Sequence, residues 1–179
     1  MPNYTAKKRS IIRFFFFVIV SLYFTSCSRT VYVVRHAEKL TPSEGSSKMM
    51  ENDPALSDAG KVRALVLKNE LAKEHIAHIY STNTIRTRST AEPLSEAINV
   101  KVELYANTDS LVATIRSVKG NVLVVGHSNT VDDIVNKLCG QTKVATDLND
   151  AEYDNLFVVK MRGKKIVFAK RKYGYPSNP

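Results

Sequence analysis

Three apolar runs in the chain are each followed closely by arginine or histidine side chains. Arginine can donate two hydrogen bonds to a phosphate group while it stays charged. A neutral imidazole can attack phosphorus and form a covalent phosphohistidine. Phosphoryl transfer depends mainly on positioning and positive charge, so these residue types would suit it if they met in one crevice. They are Arg35 and His36 after run 31–34, Arg86 after run 76–80, and His127 after run 122–125.

The apolar runs are the elements that must position these side chains. Val31–Val34 and Val122–Val125 are short and rich in β-branched residues, which is typical of buried strands in a parallel sheet. Stretches with helical spacing of apolar residues separate the runs, and this alternation predicts a parallel sheet covered by helices on both faces. Open sheets of this kind bind ligands at the carboxyl ends of their strands. We therefore expect the four side chains to meet at one edge of the sheet.

The predicted fold is α/β, a three-layer α/β/α sandwich with a mainly parallel sheet and a C-terminal antiparallel hairpin. The predicted parallel strands are 31–34, 76–80, 100–104 and 121–125, and the hairpin strands are 156–161 and 166–170. The predicted helices begin at the N-cap Ser57, cover about 81–99 and 109–118, and follow strand 121–125.

Two of these helices carry more specific expectations. In the first helix, Val62, Leu65, Val66 and Leu71 are expected to form the buried stripe. In the second, Pro93 predicts a kink or an early break, because proline lacks the backbone N–H that a helix interior needs. The loop 39–54 is long enough to be a functional lid, with plain disorder as the alternative. Residues 145–155 are interpreted as an acidic loop.

Taken in order, the motifs resemble the histidine phosphatase superfamily, which has the phosphoglycerate-mutase-like fold. The resemblance covers roughly Val31 to Leu138. It implies that His36 is the nucleophile, that Arg35 and Arg86 bind the phosphate, and that His127 contacts the same phosphate and stabilises its developing charge. It implies no cofactor and no metal ion. The residues that carry it are Arg35-His36, Leu56-Ser57 with Gly60, Ser81-x4-Arg86-x3-Thr90-Ala91, and Gly126-His127.

The general acid, which protonates the leaving oxygen, is the least defined member of this set. In many relatives a carboxylate after the third strand has this role, and Asp109 is the best-placed candidate. Asp109 could equally be a first-turn acid that interacts with the helix dipole. Glu38 is a further candidate, or it could orient Arg35. The segment 41–43 offers no equivalent of an asparagine that contacts phosphate in many mutase relatives, which argues against mutase activity.

Residues 1–26 have the layout of a bacterial secretory signal peptide. Four basic residues between Lys7 and Arg13 precede the apolar stretch Phe14–Phe24, which is shorter than the roughly 20 residues of a membrane-spanning helix. Phe24-Thr-Ser-Cys27 resembles a lipobox, in which the cysteine is lipidated and becomes the new N-terminus. We predict a lipoprotein signal over 1–26 and one histidine phosphatase domain over 27–179, anchored in a membrane and facing the periplasm. An ordinary signal peptide or an uncleaved anchor are the alternatives.

Charge and cysteine content narrow the range of partners. The formal net charge of +9 falls to +5 without residues 1–26, and seven basic residues lie between Lys160 and Lys172 with no acid among them. They could face anionic lipid headgroups, or they could guard the edge strand of a solvated hairpin. Aromatic residues are not interleaved with basic ones, so we predict no nucleic-acid partner. If Cys27 is lipidated, Cys139 has no partner and no disulfide is expected.

The predicted function is hydrolysis of phosphomonoesters through a covalent phosphohistidine, with a small-molecule or protein phosphomonoester as substrate. Two alternatives belong to other classes. One is a non-catalytic lipoprotein that binds phosphate, and the other is a phosphomutase. The membrane is the expected partner through the N-terminal lipid, and no oligomeric state is predicted.

Overall fold

A computed structural model describes residues 28–41 and 53–177, within which six strands form one sheet and four helices cover it. The predicted signal peptide, Cys27 and most of the predicted loop 39–54 lie outside these residues. Within them, none of the helices is long and apolar enough to cross a membrane. The strands are β1 Ser28–Arg35, β2 Ile76–Ser81, β3 Val102–Leu104, β4 Asn121–Gly126, β5 Asn155–Arg162 and β6 Lys165–Lys172. The helices are α1 Asp58–Leu71, α2 Ile85–Ile98, α3 Thr108–Ser117 and α4 Ser128–Cys139.

The strands of the sheet run in the order β3-β2-β4-β1-β5-β6. The first four in this order are parallel, and the β5–β6 hairpin continues the sheet in antiparallel fashion beyond β1. This confirms the mainly parallel sheet and the added hairpin. Because β1 and β4 pair in parallel, with Val34 opposite Val125, the residues that follow each strand emerge at the same edge.

Two apolar layers, one on each face of the sheet, hold the helices in place. Val31 and Val33 of β1 pack under α3 and α4, whereas Tyr32 and Val34 pack under α1 and α2. This division follows from the two-residue period of a strand, which turns successive side chains to opposite faces. These four residues are at most 4% exposed, so the chain enters the site from the buried half of β1. The three-layer prediction is confirmed.

The predicted buried stripe of α1 is wrong at two positions. Val62 and Leu65 are 46% and 48% exposed, while Ala64, Leu67 and Leu71 are buried. The rotation of the helix is determined by Gly60, where an added Cβ would overlap the backbone carbonyl of Glu38. Residues four, seven and eleven positions after Gly60 share its face, and these are the three buried ones.

The predicted early break at Pro93 is also wrong, because α2 continues through Pro93 to Ile98. Ala91 and Leu94 on either side of the proline are fully buried, and this packing maintains the helix despite the missing backbone donor. The other differences are shifts of element ends by a few residues. The prediction for Ser57 is confirmed, since its hydroxyl accepts a hydrogen bond from the Gly60 backbone N–H.

Gly60→Ala tests how tightly α1 is seated against the segment after β1. The added methyl group would force the Glu38 backbone and the helix apart, so we expect a loss of about 2 kcal/mol or more in the free energy of unfolding. Urea unfolding measures this loss, with Leu65→Ala as the control because Leu65 is half exposed on the same helix. A Gly60→Ala variant as stable as the Leu65→Ala control would contradict this account.

Candidate active site

The hydrogen bonds of His36 determine which of its ring nitrogens is available. The residue follows β1, where its backbone N–H donates to Gly126 O at 2.9 Å, and its side chain is 3% exposed. His36 Nδ1 lies 2.8 Å from Ala37 O. Because a carbonyl only accepts, Nδ1 carries the proton and Nε2 carries the lone pair. The imidazole is therefore held in the tautomer whose Nε2 can act as a nucleophile.

His127 has the opposite tautomer. It directly precedes α4, and its Nδ1 accepts from Arg86 Nη2 at 3.3 Å. Its Nε2 must then carry the proton, which it donates to Thr82 Oγ1 at 3.0 Å. The Thr82 hydroxyl donates in turn to Thr87 Oγ1 at 3.0 Å. The ring centres of His36 and His127 are 5.4 Å apart, and the rings meet edge-on. The structure therefore brings the two predicted histidines together.

Arg86 lies in the first turn of α2 and is oriented by an acid that the sequence did not indicate. Its Nη1 donates to Asp53 Oδ1 at 3.0 Å, and the same carboxylate accepts from the Ile85 backbone N–H at 3.0 and 2.9 Å. Asp53 thus caps α2 from a distant segment, while the adjacent Thr84 makes no side-chain capping bond. A carboxylate is stabilised at a helix N-terminus, and the same is true of a phosphate.

Arg35 is 3% exposed and is tied to the segment before β5. Its Nη1 donates to three backbone carbonyls, at 2.9, 3.0 and 3.4 Å, and its guanidinium carbon lies 4.3 Å from the centre of the Tyr153 ring. The carbonyls belong to Asn149, Asp150 and Glu152. The sequence indicated only an acidic loop here, and only the composition of that loop could have suggested a cationic partner.

The Nε atoms of Arg35 and Arg86 are buried and have no hydrogen-bond partner in the part of the chain that the structure describes. An unpaired buried donor costs free energy, and more so when it is charged. An oxyanion bound between the two arginines would supply the missing acceptors. The arrangement can therefore bind a tetrahedral anion beside the lone pair of His36 Nε2.

Both histidines are neutral at pH 7. Burial lowers the pKa of His36 to about 3, the hydrogen bond to Ala37 opposes this change, and the nearby Arg35, Arg86 and His127 lower it further. Burial also lowers the pKa of His127 to about 4, with Arg86 and Arg35 acting in the same direction and Asp53 against it. A neutral His36 is the form that can attack phosphorus.

The two candidate acids are both bound to basic side chains. The Asp109 carboxylate lies in the first turn of α3, is 76% exposed, and pairs with Lys137 of α4 at 2.9 Å. Glu38 forms a two-pronged ion pair with Arg63, in which Nη2 donates to Oε1 at 2.6 Å and Nε donates to Oε2 at 2.9 Å. Its partner is therefore Arg63 and not Arg35. Arg63, predicted only as part of a helix, is itself 5% exposed.

Comparison with known proteins agrees with this geometry. Residues 31–109 match the model of the histidine phosphatase superfamily, branch 1. These residues belong to the histidine phosphatase superfamily. Of the site described above, the matched range contains Arg35, His36 and Arg86, whereas His127 and the segment 149–153 lie beyond it.

One curated relative matches over a short range. Phosphoserine phosphatase 1 of Hydrogenobacter thermophilus is 41% identical over 70 residues, which are 39% of this chain and 33% of that protein. The chain therefore matches about a third of the length of this relative.

Solved structures with the same fold include the protein histidine phosphatase SixA complexed with tungstate. The match covers 80% of this chain and 96% of the SixA chain, with a TM-score of 0.64 and 16% identity. The match to phosphoglycerate mutase from Bacillus anthracis covers 82% of this chain and 93% of the mutase chain, with a TM-score of 0.54 and 15% identity. At these identities the likeness shows the fold, and the fold is shared by proteins named as phosphatases and as mutases.

The lowered pKa of His36 makes the protein less stable in acid. The unfolded chain takes up a proton on this imidazole below a pKa of about 6.5, whereas the folded chain does so only near 3. Stability from this group is therefore complete above pH 6.5 and falls as the pH is lowered towards 3, by about 2 kcal/mol at pH 5. Between pH 7 and pH 5, the free energy of unfolding measured in urea should therefore fall by about 2 kcal/mol less in His36→Ala than in the unmodified protein. His78→Ala, with a partly exposed histidine on β2, is the control. Equal losses in all three proteins would contradict the low pKa.

Proposed function

We propose that this protein hydrolyses phosphomonoesters through a covalent phosphohistidine on His36. The observation that carries the proposal is the buried His36 Nε2 lone pair, next to two arginines whose Nε donors lack partners among the described residues. The superfamily match over residues 31–109 supports phosphatase chemistry. The remaining steps follow from the roles that the site allows each group.

In the first step, the Nε2 lone pair of His36 attacks phosphorus, and the bond from phosphorus to the leaving oxygen breaks. Arg86 and the Nε–H of Arg35 hold the phosphoryl oxygens, and the Nε2–H of His127, which donates to Thr82 Oγ1 in the structure, turns to the same phosphate. In the second step, water attacks the phosphohistidine, the P–N bond breaks, and phosphate leaves with the neutral imidazole restored. The leaving oxygen takes up one proton in the first step, and water gives one up in the second. The chemistry uses no cofactor.

The source of the first proton separates this proposal from its main alternative. Asp109 must leave Lys137 to act as the acid, and Glu38 must leave Arg63. These ion pairs favour an alternative in which the site binds phosphate without turnover of poor leaving groups. An activated aryl phosphate needs little acid assistance, so hydrolysis of aryl but not alkyl phosphates would indicate such a degenerate enzyme. A phosphomutase would transfer the phosphoryl group to an added acceptor alcohol.

The substrate is proposed to be a phosphorylated small molecule or protein side chain. The names of the relatives suggest which compounds should be tested first. Phosphoserine is suggested by the relative from Hydrogenobacter, and a phosphohistidine peptide by SixA.

We also propose that the protein is exported and lipid-anchored at Cys27, with the domain 27–179 facing the periplasm. Cys27 directly precedes Ser28, the first residue of β1, whereas His36 follows the last residue of the same strand. Eight strand residues span about 26 Å. An anchor at Cys27 would therefore leave the site facing away from the bilayer.

Trapping the intermediate tests the catalytic proposal. Brief exposure to a phosphorylated substrate and denaturation without acid should leave phosphate on the His36 imidazole, detected by mass spectrometry. The label should be labile in acid and fairly stable in alkali, as a phosphoramidate is. His36→Ala should lose both label and turnover, since no other group replaces the nucleophile, while His78→Ala should keep both. Full turnover without a histidine label, together with an active His36→Ala variant, would refute the covalent mechanism.

Cys27→Ser tests the anchor. Without the thiol, no acyl chain can be attached, so the protein should appear in the soluble fraction or persist as uncleaved precursor. Membrane fractionation and the mass of the mature N-terminus measure this. Cys139→Ala removes the other cysteine, which is buried in the domain, and should stay with the membrane. If Cys27→Ser is processed and retained like the unmodified protein, Cys27 is not the anchor.

A further inference from the structure

Tyr153 contacts two of the residues on which the proposed chemistry depends. Its ring lies against the guanidinium of Arg35, with 4.3 Å from the guanidinium carbon to the ring centre. Its ring centre lies 5.9 Å from the ring centre of His36, and the two rings are tilted by 53°. The Tyr153 ring therefore covers one side of the His36 imidazole. Neither the sequence motifs nor the family match over residues 31–109 includes it.

Tyr153 is held in place from the C-terminal side of the chain. Its backbone N–H donates to Ser177 Oγ at 2.9 Å. The next residue, Asp154, is 4% exposed, and its carboxylate accepts from Lys172 Nζ at 2.7 Å and from the Ser177 backbone at 3.2 Å. Tyr173 donates its backbone N–H to the carbonyl of Asp154 at 2.9 Å. These bonds join the start of β5 to the segment after β6, so the tyrosine has a fixed backbone.

We propose that Tyr153 is a positioning residue of this site, whose ring holds the guanidinium of Arg35 and shields the His36 imidazole from water. A cation over an aromatic face is attracted by the ring electrons, most strongly where water is excluded. Arg35 is already bound to the carbonyls of the 149–152 segment. The ring therefore fixes the plane of the guanidinium and the direction of its Nε–H. Nothing in this role requires the phenol hydroxyl.

Shielding determines the charge state of His36. Burial is the largest cause of its low pKa, ahead of its charged neighbours. Removing the ring would admit water on that side and raise the pKa of His36 towards its ordinary value. The imidazole would then be protonated, and unable to attack phosphorus, at a higher pH than in the unmodified protein. Among the described residues, the charged groups that act on His36 are Arg35, Arg86 and His127. Asp53 acts on His127, and Glu38 and Asp150 act on Tyr153.

The test compares three substitutions at Tyr153 in the full chain. Imidazole titration by NMR, without substrate, measures the pKa of His36, and His36→Ala and His127→Ala identify the signals. Tyr153→Ala should raise the pKa of His36 and lower kcat/KM by about tenfold or more. In the alanine variant, the fall of kcat/KM in acid should begin at a higher pH than in the unmodified protein. Tyr153→Phe should match the unmodified protein in both measurements. Tyr175→Ala removes the same atoms from a tyrosine that is 76% exposed, and it should change neither.

If Tyr153→Ala does not fold, Tyr153→Leu provides the test. Leucine excludes water but has no aromatic face, so the pKa of His36 should stay low while kcat/KM falls. The proposal is overturned if the pKa of His36 is the same in the alanine variant. It is also overturned if the phenylalanine variant is as impaired as the alanine one, or if the leucine variant is fully active. The prediction about kcat/KM rests on the proposed function, whereas the prediction about the pKa of His36 does not. An inactive unmodified protein whose His36 still responds to Tyr153→Ala would refute the proposed function and leave the shielding role intact.

Discussion

The hydrogen bond from His36 Nδ1 to the carbonyl of Ala37 determines which nitrogen is available for chemistry. The bond is short, at 2.8 Å, and both residues are buried, so water does not compete for it. The carbonyl is held because the Ala37 N–H donates to Thr90 Oγ1, and that hydroxyl donates in turn to the Arg86 carbonyl. One threonine therefore couples the end of β1 to the first turn of α2. His36 and Arg86, the proposed nucleophile and the proposed phosphate-binding arginine, are fixed relative to each other through this link.

The second constraint on the site is electrostatic. Two arginines and two imidazoles lie together, and their charges would repel one another if the histidines were protonated. Burial keeps the histidines neutral, and the arginines are offset by acids that lie at the margin of the site. Asp53 is 36% exposed and Asp150 is 91% exposed. Because both carboxylates reach solvent, a phosphate group can displace them from the arginines at little cost in desolvation.

The C-terminal hairpin is part of the site as well as an extension of the sheet. The segment that leads into β5 supplies the carbonyls that bind Arg35, and the segment after β6 is fastened to Arg63. Arg63 donates to the carbonyls of Tyr173 and Tyr175 at 2.9 and 3.0 Å while it holds Glu38. A buried ion pair is favourable only when its remaining donors are also satisfied, and the two carbonyls meet this condition. Residues 31–109 thus depend on the last strands for the environment of Arg35 and Glu38.

The sequence alone was sufficient to predict features whose signal lies in residues that are neighbours in the chain. β-Branched runs mark the buried parts of β1 and β4, and Ser57 caps α1 through a bond to a residue three positions ahead. Strand ends in a parallel sheet bring Arg35, His36, Arg86 and His127 to one edge. The structure alone decided the partners of these side chains. Asp53 reaches Arg86 across 33 residues, and the carbonyls that bind Arg35 are more than 110 residues away. The buried face of α1 followed from one backbone contact at Gly60, and Glu38 paired with Arg63 because the helix carries that arginine inward. Contacts of this kind leave no period or spacing in the sequence, because they depend on how distant elements pack and not on which residues are neighbours in the chain.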